Sequence, residues 1–126
     1  VTPELIASAF SALEDAPEAA GVVVGHPAFD TIKRVDSRGR VLGTPDRSEL
    51  WVAETPQVFR AGALVRAHAR AASEGFEGTD DASLVERDGG SVLMVEGPRW
   101  NMKVTVPEDV AVLEALLALR HLGVGR

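Results

Sequence analysis

The chain has 126 residues, 45% of them hydrophobic and 25% charged, which puts it in the range of soluble globular chains with one modest core. Its formal charge of -6 argues against a nucleic-acid partner, because binding to a phosphate backbone needs a clustered basic face. The absence of cysteine excludes a disulfide framework, a thiolate metal site and a cysteine nucleophile, and favours an intracellular home.

The first ten residues, VTPELIASAF, already read as a helix start, with Thr2 as N-cap, Pro3 at the first helical position and Glu4 in the first turn. Together with Val1 in place of Met, this reads as a cut chain, any leader peptide lying upstream. Leu5, Ile6, Ala9, Phe10 and Leu13 recur at helical spacing, so residues 3–15 are expected to form a helix with one buried face. GVVVG at 21–25 is a β-branched run between glycines, expected to be a strand buried on both faces. Residues 31–44, TIKRVDSRGRVLGT, read as two extended pieces around an SRG turn, too polar for a core hairpin, and are expected to project as an arm.

Residues 59–75 read as a second amphipathic helix, with Leu64, Val65 and His68 on one stripe and Gly75 as the stop. Ala82, Leu84 and Val85 open a shorter helix ending at Gly89 or Gly90. SVLMVEG (91–97) and NMKVTV (101–106) read as strands, and Pro107, Glu108 and Asp109 open a last helix whose Val110, Leu113, Leu116, Leu117 and Leu122 should face a core. Strands alternating with helices imply an α/β layer structure with a largely parallel sheet. No apolar run approaches the roughly 20 residues of a membrane span, VLEALLALRHL being too short and interrupted by charge.

Ligands of such sheets collect in the loops that lead from strands into helices. The polar clusters FDTIK (29–33), TPDR (44–47), ETPQVF (54–59), TDDAS (79–83) and NMKVT (101–105) are expected at such junctions. Lys103 interrupts a strand-like run, which fits either an edge residue facing water or a point charge aimed at a phosphate. His26, His68 and His121 lie in separate elements without metal-ligand spacing, and Ser83 lacks the glycines of a nucleophile elbow. Asp80 and Asp81 could hold Mg²⁺ in principle, but a helix N-terminus favours anions. The expected division is therefore Asp80 or Asp81 as helix cap and Thr79 as contact to an anionic or polyhydroxylated ligand.

The segments DTIKRVD, PDRSELWVAETPQVF, TDDASLVE and VEGPRWNMKVTVPEDV, in that order, resemble the C-terminal half of the 2-C-methyl-D-erythritol 4-phosphate cytidylyltransferases. VTPELI also fits, as the segment that follows an HDAARP-type motif in that family. The resemblance covers nearly the whole chain and implies the C-terminal part of a modified Rossmann-like sheet of the nucleotide-diphospho-sugar transferase type. Residues 1–126 would be part of a single cytidylyltransferase domain, with 30–47 a projecting arm that holds a homodimer. The implied activity is cytidylyl transfer from CTP to methylerythritol phosphate, with Mg²⁺, releasing pyrophosphate in non-mevalonate isoprenoid synthesis, in the cytoplasm. The family's glycine-rich CTP loop, N-terminal basic residues and metal-binding aspartate have no counterpart in this sequence, so the chain alone is expected to be inactive and to supply no metal ligand.

Carried over residue by residue, the resemblance gives Thr31 and Arg47 to the arm, reaching substrate in the neighbouring subunit. Thr55 and Thr79 would line the substrate pocket of their own subunit, and Lys103 would steady charge on the reacting phosphates. Two positions depart: Glu54 stands where glutamine is usual, putting a possible extra negative charge near an anionic pocket, and Val58 replaces a common glycine. Attack of one phosphate on another needs positioning and charge neutralisation, with no protein nucleophile, which agrees with the lack of a triad or a histidine base. Two alternatives remain open at this point, a ribitol-5-phosphate cytidylyltransferase and a non-catalytic dimerisation or binding module. Lys33 and the full TDDAS favour methylerythritol phosphate over ribitol phosphate.

Overall fold

In the computed structural model, which describes residues 1–98 and 100–121 and only the backbone of 120 and 121, the fold is organised around one strand. That strand, β1 (Gly21–Pro27), follows the first helix, α1 (Pro3–Asp15). A two-stranded ribbon comes next, β2 (Arg34–Val35) with β3 (Val41–Gly43), then a single 3₁₀ turn at Arg47–Glu49 and the long β4 (Trp51–Phe59). The chain continues through α2 (Ala61–Glu74), α3 (Asp81–Arg87), β5 (Val92–Glu96) and α4 (Glu108–His121). The main sheet has the order β4-β1-β5. Neighbours on both sides satisfy the backbone of β1, and its GVVVG run is buried throughout, as expected of a strand covered on both faces.

The two faces of the sheet carry separate clusters. Leu5, Ala9 and Leu13 of α1 pack with Val22, Val24 and Val58 on one face. Ala67 and Ala71 of α2 and Leu84 and Val85 of α3 pack with Phe59 and Val92 on the other. Alternation along the strands sends Val58 to the first cluster and its neighbour Phe59 to the second. Thr2 caps α1 as expected, its Oγ1 accepting from the Leu5 amide at 3.3 Å. Arg60 serves the other end of that helix: its guanidinium donates to the carbonyls of Leu13, Ala16 and Ala19 at 2.8–3.2 Å. A second charged latch joins α2 to α3, where Glu74 accepts from both Arg70 and Arg87 and the Arg87 guanidinium lies 4.2 Å from the centre of the Phe76 ring.

Several expectations need correction. The sheet is mixed, because only β1 and β5 are parallel while β1 and β4 are antiparallel. ETPQVF is strand and not a junction loop; its charged and amide side chains and Pro56 hide the alternation that would have marked β4. Residues 101–106 form no strand, since Asp109 Oδ2 accepts from the amides of Thr105 and Val106 and from the Thr105 hydroxyl, a local bond that displaces ladder pairing. Ile6 and Phe10 are exposed, because contact with the sheet is made by the narrower Leu5, Ala9, Leu13 stripe. In α2 the buried positions are Ala67 and Ala71, whose small side chains let α3 approach, and Val65 and His68 face outward. Of the α4 residues expected in a core, Leu113 and Leu116 are half-buried, Val110 and Leu117 are exposed, and Leu122 lies outside the described residues.

The 31–44 segment does form two short strands around a tight turn. Gly39 turns the chain at φ 77°, and Asp36 Oδ1 accepts from the amides of Arg38 and Arg40, both at 2.9 Å. These bonds hold the Asp36 carboxyl below its ordinary value of 3.8. A folded-state pKa below the unfolded one adds stability above that ordinary value, and the contribution is lost as pH falls through the folded pKa. The Arg38 and Arg40 amide resonances are thus expected to stay fixed from neutral pH down to about 4 and to move toward coil values below it. Arg60→Ala is expected to lower stability by ~1–2 kcal/mol in urea unfolding, and Arg60→Lys to recover only part, since an ammonium cannot span three carbonyls in a fixed fork.

Candidate functional site

An open cleft of about 620 Å³ lies between β4, the start of α3 and the segment after β5. Its walls come from a break in the sheet. Val23 pairs with Gln57 and Gly25 with Ala53, so Glu54, Thr55 and Pro56 stand opposite Val24 alone. A bulge of this kind re-aims side chains, and Pro56, which has no amide donor, is tolerated there; the Thr55–Pro56 peptide is cis. Thr55, Pro56 and Gln57 consequently turn into the cleft.

Opposite them stands the TDDAS segment. Asp80 is the N-cap of α3: its Oδ1 accepts from the Ser83 amide at 2.9 Å, and Ser83 Oγ faces the Asp80 amide at 3.4 Å to complete a capping box. The other Asp80 oxygen accepts from Gln57 Nε2 at 3.1 Å, which ties the cap to the bulge of β4. Asp81 Oδ1 lies 2.8 Å from His68 Nε2 across the mouth of the cleft. This settles the cap in favour of Asp80, and both carboxylates face the cleft with an oxygen already engaged by a neighbour. Their engaged oxygens do not fit a magnesium site, and among the described residues no group of three His, Asp or Glu side chains is placed to hold a metal.

Lys103 lines the same cleft and, among the described residues, has no ion-pair or hydrogen-bond partner. It is carried by a segment without regular secondary structure and not by a strand. Thr55 and Lys103 are therefore the two expected site residues that the structure brings together. Thr79 is exposed between Gly78 and Asp80, outside the lining itself. Thr31 is exposed at the base of the ribbon, and Arg47 lies in the 3₁₀ turn with its Nη1 donating to the Phe29 carbonyl at 2.8 Å, both away from this cleft.

Glu54 does not add charge to the cleft. Its side chain is 10% exposed, 3.6 Å from His26 Nε2 through one oxygen and accepting from Asn101 Nδ2 through the other at 3.0 Å. Asn101 and Gln57, the residues that tie the walls together, escaped the sequence reading. A compositional signal was present, because they are the one asparagine and the one glutamine in the chain and each lies inside a polar motif.

Comparison with known proteins gives a consistent result. Residues 1–119 match the family described as 2-C-methyl-D-erythritol 4-phosphate cytidylyltransferase. The enzyme of that name from Bacillus licheniformis is 50% identical over 105 residues, covering 83% of this chain and 45% of its own length. The Nostoc punctiforme enzyme is 44% identical over 119 residues, 94% of this chain and 51% of its own. Among solved structures, 4-diphosphocytidyl-2C-methyl-D-erythritol synthase from Anaerococcus prevotii superposes with a TM-score of 0.80 at 28% identity, covering 93% of this chain and 53% of that one. The cytidylyltransferase from Thermus thermophilus does so with a TM-score of 0.76 at 33% identity, covering 94% and 56%. The fold is thus the Rossmann-like one of these transferases, and the chain spans about half the length of the curated relatives it matches.

The geometry divides the two neighbours in the TDDAS motif. Asp80→Ala is expected to lower stability by ~1 kcal/mol or more, because it removes both the cap and the Gln57 partner, whereas Thr79→Ala should leave the melting temperature unchanged. Thermal unfolding of the two variants checks this directly.

Proposed function

Because the chain belongs to the 2-C-methyl-D-erythritol 4-phosphate cytidylyltransferase family, we propose that it supplies the alcohol-phosphate side of cytidylyl transfer from CTP to methylerythritol phosphate. The observation that carries the reading is Lys103, an ammonium with no partner among the described residues, lining the same open cleft as Thr55. Oxygen of the methylerythritol phosphate attacks the α-phosphorus of CTP and pyrophosphate leaves. The attacking oxygen is already ionised, so the protein's part is to orient it and to offset the charge that builds between the phosphates.

Lys103 supplies that offset as a compact point charge. Thr55 orients the substrate within its own subunit and Thr79 reaches it from the edge of the cleft. Thr31 and Arg47, which do not line the cleft of their own chain, serve the site of a second copy through the ribbon at 30–47, in a symmetric homodimer. Val35, Val41 and Leu42 leave exposed apolar surface on that ribbon, and two strands this short are not stable alone, which supports a second ribbon as their cover. Mg²⁺ accompanies CTP and would neutralise its phosphates; no residue described here is assigned to it. Both CTP binding and turnover call for the part of the family's length that this chain does not span, and the activity belongs in the cytoplasm, where nucleoside triphosphates are held. Family membership favours methylerythritol phosphate over ribitol phosphate as acceptor.

The pure 126-residue chain is expected to release no pyrophosphate from CTP above a buffer control. In a chain of full family length carrying these residues, Lys103→Ala should lower turnover by ~10²-fold or more at saturating substrates, as for loss of a preorganised donor. Lys103→Arg should recover little of it. A Lys103→Ala rate within about threefold of the parent would make Lys103 a surface residue and remove the basis of the reading.

Mixed dimers of such chains test the arm. An Arg47→Ala subunit is paired with a Lys103→Ala subunit, each nearly inactive as a homodimer. If Arg47 works in the partner's site, one site of the mixed dimer carries both defects and the other neither, so about half of the parent activity returns. No recovery would assign Arg47 to its own subunit.

A further inference from the structure

The one asparagine of the chain is also the deepest polar side chain in the described residues, 4% exposed. Both hydrogens of its carboxamide are used. Nδ2 donates to Glu54 Oε2 at 3.0 Å and to the Thr55 carbonyl at 2.6 Å, while its backbone amide closes a turn onto the Pro98 carbonyl at 2.9 Å. A carboxylate acceptor makes the first of these bonds charge-assisted. Burial raises the cost of leaving either acceptor unpaired, so the arrangement is held more tightly than a surface contact.

The segment leading to Asn101 is drawn toward the same place. The Gly97 amide donates to the Gly25 carbonyl at 2.8 Å, and a Cβ at Gly97 would run into Val24, so only a residue without one allows this approach. Glu54, on its far side, is braced by His26, whose ring stacks on Phe29. Two residues beyond Asn101 the chain reaches Lys103, whose segment pairs with no strand. The carbonyl that Asn101 grips belongs to Thr55, which lines the same cleft as that lysine.

We propose that Asn101, anchored by Glu54, is the positioning residue that fixes Lys103 against Thr55, so that the placement of the cleft's unpaired charge depends on a buried carboxamide behind it. Resting on the reading of Lys103 and Thr55 as the substrate site, the proposal assigns Glu54 to the support of that site, and the substrate does not meet its carboxylate.

The chain has no cysteine, so Lys103→Cys provides a single attachment point for a nitroxide label. With Asn101 intact, the label should strongly enhance relaxation of the Gln57 and Asp80 amides. Asn101→Ala and the milder Asn101→Ser should each reduce that enhancement while leaving the far-UV spectrum of a folded chain. Glu54→Gln, which keeps an acceptor oxygen for Asn101, should preserve it. In the unlabelled chain, Asn101→Ala should weaken methylerythritol phosphate binding by about tenfold in calorimetry. Added to Lys103→Ala, it should change affinity by less than about twofold, because its effect runs through the lysine. Unchanged relaxation in both Asn101 variants, or an equal loss of affinity with and without Lys103, would overturn the proposal. If Lys103→Ala leaves both methylerythritol phosphate binding and the turnover of a chain of full family length intact, the substrate reading of the cleft fails, and the relaxation data still decide whether Asn101 sets the lysine's place.

Discussion

The two-sided burial of β1 is the constraint from which the rest of the structure follows. Val22, Val23 and Val24 are almost entirely withdrawn from solvent, and a strand in that position must have both edges paired and both faces covered. Pairing is met by β4 on one side and β5 on the other, and cover by α1 on one face and α2 with α3 on the other. Opposite Val24 the β4 chain has three residues for one, and the excess is what turns Thr55 outward into the cleft. The site is therefore a consequence of how β4 accommodates a continuous apolar neighbour.

Electrostatically the cleft is asymmetric. Asp80 is shared between a helix amide and Gln57, and Asp81 lies against His68, so the carboxylates carry out structural pairing. Lys103 has no such partner among the described residues. The other basic side chain of the lining, His68, already faces Asp81, so the lysine is the cation left without a partner among the described residues of that wall.

How much of this could be read in advance varied with how local the cause was. Thr2 as a cap, Gly75 as a stop, the buried GVVVG run and the turn at Gly39 were legible because each depends on a few adjacent residues. β4 was not, since a bulge with a proline erases the period that marks a strand. Residues 101–106 have strand composition, but the Asp109 carboxylate captures the amides of Thr105 and Val106. The apolar positions of α4 obey helical spacing while leaving their exposed side unmatched within the described residues, and spacing alone cannot tell which partner a face meets. At the site, the motifs indicated Lys103 and Thr55, while the bonds of Asn101 to β4 span more than 40 positions and leave no trace in local pattern.

The bulge has a further consequence at the margin of the sheet. Among the described residues β4 and β5 are its two edge strands, and an edge presents a row of free amides and carbonyls onto which another chain can add. β5 offers only five residues and ends in Glu96. β4 offers nine, but Pro56 and the irregular register at its centre divide it into two short runs, neither long enough for a stable foreign strand. The distortion that opens the cleft thus also interrupts the longer of the two edges that the described sheet presents to another strand.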